Sequence, residues 1–312
     1  METGRKFHDL SIHCTETAGY ILGRMRRQAG EQMVTVIEAR AGRNISDWVA
    51  FFESADIPVL RQTARELAQL HAREEETGAR DIARVVINDP LMTFKVLAYA
   101  NNHRSRHQLH DLAQVEQAII MMGSSTFFEK ISTVLHVEDV LKQHASSLVD
   151  LLKLMVRAHR AGYFAAEFAA HLKDLHAEEV RVAASLYDFA EMLMWCFNPE
   201  AMHEINRRQT ADKTLRSREV QQDVLGFRVV DLQAELVRVF NLPGLLTDLM
   251  DEQRVHLPRV RNVQLAVNLA RHSADGWQNA ALPDDYKDIA QLLHVDVARV
   301  LHIVGAPSST TG

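Results

Sequence analysis

The chain has 312 residues, 47% of them hydrophobic and 24% charged, and a formal charge of −6 at pH 7. Its 35 Lys and Arg are spread along the sequence, so nucleic acid is not an expected partner. The two cysteines, Cys14 and Cys196, form no CxxC pair, which excludes a zinc knuckle or redox motif and fits a reducing compartment. The charged start, Met1 to Leu10, lacks the apolar segment of a secretory signal, and no apolar run is long enough to span a bilayer. The cytoplasm is therefore the expected location. Scarce Gly (13) and Pro (7), few alternating stretches and abundant Ala, Leu, Arg and Glu predict an all-α fold of about a dozen helices.

Residues 1 to about 50 read as a leader, mobile or partly helical, interrupted by Gly19, Gly23, Gly30 and Gly42. Ser46-Asp47 offers an N-cap before Trp48, Phe51 and Phe52. Pro58 is expected to open a helix with Leu60, Ala64, Leu67, Ala68 and His71 at helical spacing. Ala79 to Ile87 is a short helix, and Asp89-Pro90 supplies the N-cap and N1 residue of the next, with Leu91, Phe94, Leu97 and Ala98 inward. Asn101-Asn102 ends it. A polar loop from His103 to Asp111 precedes a helix with Val115, Ala118, Ile119 and Met122 inward and Gly123 at C′. Thr126 and Glu129 have capping-box spacing for the following helix.

The longest stripe, Leu148, Leu151, Leu152, Met155, Val156, His159, Gly162, Tyr163 and Ala166, predicts a central helix with that face in the core. One continuous helix is then expected through Ala183, Leu186, Tyr187, Ala190, Leu193 and Phe197, up to Pro199. The stretch from Arg207 to Glu219 is charged and expected to be exposed. A second long stripe runs from Leu225 to Phe240 and stops at Asn241-Leu242-Pro243. Shorter helices follow around Leu245 to Met250 and from Pro258 through Ala270. After a linker with Gly276, the tail restarts at Pro283, and Asp296 caps a last turn. Residues after Gly305 read as disordered.

Three stretches carry a family resemblance. The first is Ile82-Ala83-Arg84-Val85-Val86-Ile87-Asn88-Asp89-Pro90-Leu91, with Lys95-Val96-Leu97 and Ala100-Asn101 after it. The second is Val115 to Ile119 with Met122-Gly123. The third, looser, is Val224-Leu225-Gly226-Phe227 with Phe240-Asn241-Leu242-Pro243. The chain resembles the HDOD family, the HD-related output domain of bacterial signalling proteins, over roughly Ile57 to Ala270. The resemblance implies a multi-helix HD-like bundle at residues 51–271. Its N-terminal helical half would be 51–145 and its degenerate HD-like half 146–271, with both sharing one core. Residues 272–312 would be a helical extension and tail.

The family's relation to HD phosphohydrolases implies positions for metal-binding histidines and aspartates. Here His159 falls at the first, while Tyr187 stands where the histidine of the His-Asp pair is expected, beside Asp188. The later histidine pair falls near Glu252-Gln253-Arg254 and the final aspartate near Val267-Asn268. Only His159 and Asp188 remain, and two protein ligands do not make a dedicated site. No metal or other cofactor is therefore expected.

From the residues themselves, His159 reads as a core histidine with a hydrogen-bonding neighbour, and Asp188 as a solvated or salt-bridged carboxylate. His103, His107, His110 and Asp111 are dense in metal-binding side chains. Arg104 and Arg106 lie among them and oppose a cation, so the loop reads as solvated or as a contact for an anionic partner. Candidate contacts for a ligand or partner are His159, Tyr187, Arg254, Arg104 and Arg106. The expected function is a non-enzymatic regulatory module that engages a signalling protein or a small regulatory nucleotide. The alternatives are a residual metal-dependent phosphohydrolase acting on nucleotides or cyclic dinucleotides, and a nucleotide sensor without turnover.

Overall fold

The computed structural model describes residues 44–103, 113–131, 135–212 and 214–307. Arg104, Arg106, His107, His110, Asp111 and most of the expected leader lie outside the described residues, as does the tail beyond residue 307. The described elements are helical, and the one extended pairing among them is a parallel bridge between Val59 and His136. None of the described helices is long and apolar enough to cross a membrane.

The first helix, α1 (Ile45–Ser54), begins directly after Asn44. Asn44, not Ser46 or Asp47, is the N-cap: its side chain accepts from the Asp47 amide at 3.0 Å, and Asp47 accepts from the Asn44 amide at 3.3 Å. The helix buries Trp48 and Phe52. Pro58 does not open the next helix. Residues 58–60 are extended because Val59 exchanges backbone hydrogen bonds with Leu135 and Val137, and α2 (Arg61–His71) starts after them.

Then come α3 (Ala79–Val86) and α4 (Pro90–Asn102), joined through Asp89. The Asp89 carboxylate is fully buried. One oxygen accepts from the Leu91 and Met92 amides at 3.0 and 3.2 Å, and the other from the Leu60 amide at 2.9 Å. One side chain thus caps α4 and fixes the entry to α2. Burial raises its pKa, opposed by the backbone donors of Leu60, Met92 and Leu91 and by the Thr63 side chain.

Next are α5 (Val115–Met122), which ends at Gly123 with φ of 82°, and α6 (Ser124–Thr126). The capping box expected at Thr126 and Glu129 does not form. Thr126 already lies inside α6, which runs on into a π-helical turn over Phe127–Ile131. A short α7 (Val137–Val140) leads to α8 (Ala145–His171), the longest helix.

Around α8 pack α9 (Ala177–Ser185), α10 (Phe189–Phe197), α11 (Pro199–Ala211) and α15 (Pro258–His272), the closest neighbours being α9 and α15. Between α11 and α15 run α12 (Ser217–Leu225), α13 (Val229–Val239) and α14 (Gly244–Met250). The chain closes with α16 (Leu282–Leu293) and α17 (Val297–Val304), the latter capped by Asp296.

The face of α8 in the core keeps Leu151, Met155 and Gly162 of the expected stripe but not the rest of it. It carries Leu151, Leu154, Met155 and Phe168 with the small residues Ala158, Ala161, Gly162, Ala165 and Ala169. Val156, Tyr163 and His159 point outward, Val156 with 62% of its surface exposed. Small residues win this face because they let neighbours approach closely. A Cβ on Gly162 would stand 3.1 Å from the Arg181 carbonyl of α9.

Two expected continuous helices are broken. The stretch through Tyr187 divides into α9 and α10, and the stripe from Leu225 divides into α12 and α13 at Gly226, which takes φ of 81°. More helical segments therefore fit the same patterns than periodicity counts. The N-terminal elements join the rest through aromatic contacts. Phe94 of α4 stacks on Phe189 at 5.0 Å and meets Phe240 edge-on at 5.1 Å, while Phe51 and Phe52 of α1 pack on Phe197.

Two stability measurements check these roles. Asp89→Ala strips three backbone amides of their acceptor and should cost about 3 kcal/mol in urea unfolding. Asp89→Asn should cost less, because its amide oxygen still serves α4. Gly162→Val, which must push α9 away, should cost about 2 kcal/mol or more.

Candidate functional site

The turn between α9 and α10 holds the site. Leu186, Tyr187 and Asp188 leave helical geometry, and Gln233 of α13 replaces the lost helical hydrogen bonds. Its amide nitrogen donates to the Tyr187 carbonyl at 2.5 Å, and its amide oxygen accepts from the Ala190 amide at 3.3 Å. The break places Asp188 between α8 and α15. There Arg157 Nη2 lies 3.2 Å from Asp188 Oδ2, and Arg271 Nη2 lies 4.0 Å from the same oxygen.

Glu191, one turn into α10, completes the cluster. Burial first, and then the Asp188 carboxylate, push its pKa from an ordinary 4.5 up to about 7, against the pull of Arg157, Trp195 and Arg271. Burial also raises the Tyr187 phenol, with Asp188 adding to the shift. Arg157 Nε is buried without a hydrogen-bond partner.

A cavity of about 510 Å³ opens on these groups, with Gln209, Gln221 and Ser217 on its far wall. Arg157, Glu191, Gln209, Ser217 and Gln221 also line a second cavity of about 750 Å³, which continues along α8 past Val156 and Val149. The shared residues join the two into one cleft, whose larger part mixes apolar side chains with Asp150, Lys153, Arg160 and Asp275.

The structure brings Tyr187 and Asp188 together and leaves His159 and Arg254 out of the cleft. His159 is at the surface rather than in the core. It lies on nearly the opposite side of α8 from Arg157, which is the α8 residue that meets Asp188. Partial shielding and the neighbouring Arg181 cation lower the His159 pKa. Arg254 is exposed and pairs with Asp248 and Asp251, away from the cleft. His103 stacks on Tyr99 with ring centroids 4.0 Å apart.

The family signature residues are structural. Asn101 is buried in the last turn of α4, which ends at Asn102 as expected, and its side chain donates to the Leu97 carbonyl. Gly123 and Gly226 take positive φ, and Pro243 precedes α14. Arg157, Glu191 and Arg271 escaped the sequence reading. Each is an ordinary charged helical residue, and only the fold brings them together.

A metal of the HD type does not fit this donor set. Among the described residues, no three His, Cys, Asp or Glu side chains gather where an ion could be held. The Asp188 oxygen that would face an ion faces guanidinium instead, and a phenol is a poor ligand for divalent metals.

Glu191 makes stability depend on pH in a definite direction. Its folded pKa is raised, so the folded protein holds a proton that the unfolded chain releases near 4.5. Its contribution is fully present below that value and is lost as pH rises through about 7. Glu191→Gln should therefore be more stable than the natural chain at pH 8, by about 3 kcal/mol at most. The two should converge toward pH 4.5 in denaturant melts.

Comparison with known proteins agrees with this architecture. The chain is similar to a solved structure of the MmoQ response regulator from Methylococcus capsulatus, with 17% identity over 80% of this chain and 98% of that one, at a TM-score of 0.61. It is also similar to a virulence factor from Campylobacter jejuni, with 16% identity over 85% of this chain and 95% of the other, at a TM-score of 0.62. Comparison with curated proteins gives no match. The HDOD domain profile matches residues 57–255, which include the buried Asp89 cap and the Tyr187-Asp188 turn, and the chain belongs to the HDOD domain family.

Proposed function

We propose that the chain is a non-enzymatic regulatory module of bacterial signal transduction, which acts by binding a signalling protein or a small regulatory molecule. The observation that carries this reading is the pair of guanidinium groups, from Arg157 and Arg271, on the single carboxylate of Asp188. Cations of the protein take the position that a Lewis-acidic metal would need, and among the described residues Asp188 and Glu191 gain no third His, Cys, Asp or Glu to complete a ligand set. The likeness to a response regulator supports a signalling setting. A reducing cytoplasm suits the buried free thiol of Cys196.

Metal content tests the reading. Protein purified without chelator and without a histidine tag should carry only substoichiometric metal. Stoichiometric iron, manganese or zinc that disappears in Asp188→Ala would overturn it and favour a metal-dependent phosphohydrolase.

A further inference from the structure

The Asp188 end of the cleft has more hydrogen-bond donors than the protein uses. A guanidinium carries five N–H donors. Arg157 makes one side-chain hydrogen bond, to Asp188 at 3.2 Å, and its Nε is buried without a partner. Arg271 reaches Asp188 only at 4.0 Å, and among the described residues its side chain makes no hydrogen bond. Arg157 and Arg271 thus face the cavity of about 510 Å³ together with the carboxyl groups of Asp188 and Glu191, the latter holding its proton up to about pH 7.

The larger part of the cleft adds apolar side chains, set among Asp150, Lys153, Arg160 and Asp275. Val149 and Val156 are 50% and 62% exposed although they belong to the longest helix, and both line the adjoining cavity of about 750 Å³. Met202 and Ile205 of α11 face them across it. Each of the two cavities, of about 510 and 750 Å³, is in the size range of sites for small organic ligands.

We propose that this cleft binds an amphipathic organic anion, with its phosphate or carboxylate head on Arg157 and Arg271 and its apolar body along Val149, Val156, Met202 and Ile205. This rests on the reading of the chain as a binding module and names the class of molecule it senses. Planar guanidinium donors suit an oxyanion, and a low-dielectric wall strengthens the contact. The groups facing Glu191 are Arg157 from α8, Asp188 and Tyr187 from the turn, Arg271 from α15 and Trp195 from its own helix. Protonation of Glu191 removes a negative charge from the head-group end, so the anion binds more tightly as pH falls through about 7.

The test uses anilinonaphthalene sulfonate, a fluorescent amphipathic anion, titrated into the full chain at pH 6 and pH 8. Saturable one-to-one binding is expected, tighter at pH 6. Arg271→Gln, at a half-exposed side chain, and Val156→Asp, at the exposed wall, should each weaken it roughly tenfold. Leu175→Asp, at a side chain 93% exposed outside the cleft, should leave it unchanged.

Displacement by inorganic phosphate assigns a phosphoryl head, and displacement by benzoate a carboxylate head. Displacement by neither overturns the anion assignment. So do the absence of saturable binding, unaltered affinity in both cleft variants, or loss of binding in Leu175→Asp. A metal-free protein that binds no probe overturns this inference and leaves the proposed function standing. Stoichiometric metal overturns the function first, whatever the probe does.

Discussion

The close approach of α9 and α15 to α8 is the constraint on which the site depends. Arg157 comes from α8, Asp188 from the turn after α9, and Arg271 from α15. They meet because the buried face of α8 is built from alanines and Gly162, so the neighbouring backbones come near enough for short and long side chains to share one cleft. Asn262 of α15 extends this contact by donating to the Ala165 carbonyl at 3.2 Å. Larger side chains on that face would separate the three elements and the charges with them.

A second constraint acts at the other end of the fold. The buried carboxylate of Asp89 is acceptable because three backbone amides that would otherwise be orphaned point at it. It orients α4, which carries Phe94 onto Phe189 and Phe240. Phe189 is the first residue of α10, immediately after Asp188. The N-terminal helices therefore buttress the turn that holds the site, although none of their side chains lines it.

Much of the fold was legible because helix boundaries are local. Asp89-Pro90, Gly123, Pro258 and Asp296 mark their boundaries through short-range chemistry that a sequence displays directly. The break at Tyr187 was not legible, because its cause is Gln233, which lies 46 residues further on. The buried face of α8 was legible at Leu151, Met155 and Gly162 and hidden elsewhere. Val156 and Tyr163 carry more hydrophobic signal than Ala158, Ala161 and Ala165, yet packing density favours the small residues. His159 falls outside the core on the same account, and Arg157, on nearly the opposite side of the helix, is the residue that meets Asp188. Of the site, Tyr187 and Asp188 were visible through the family resemblance. The two arginines were not, because a charged residue on a helix announces a solvated face unless the fold turns it inward.

The family match ends at residue 255, but the site does not. Arg271 lies beyond it, and so do Ala274 and Asp275, which line the larger cavity. This outlying segment is held in place by contacts of its own. Arg160 of α8 donates to the Ser273 carbonyl and hydroxyl at 3.0 and 2.9 Å and lies over the Trp277 ring. His272 Nδ1 lies 2.6 Å from the Asp285 carboxylate of α16. The C-terminal helices thus fix the end of α15 from which Arg271 projects. Asp188 sits inside the family span and draws one of its two cations from outside it, so the electrostatic character of the cleft is a property of this chain's extension as much as of the shared domain.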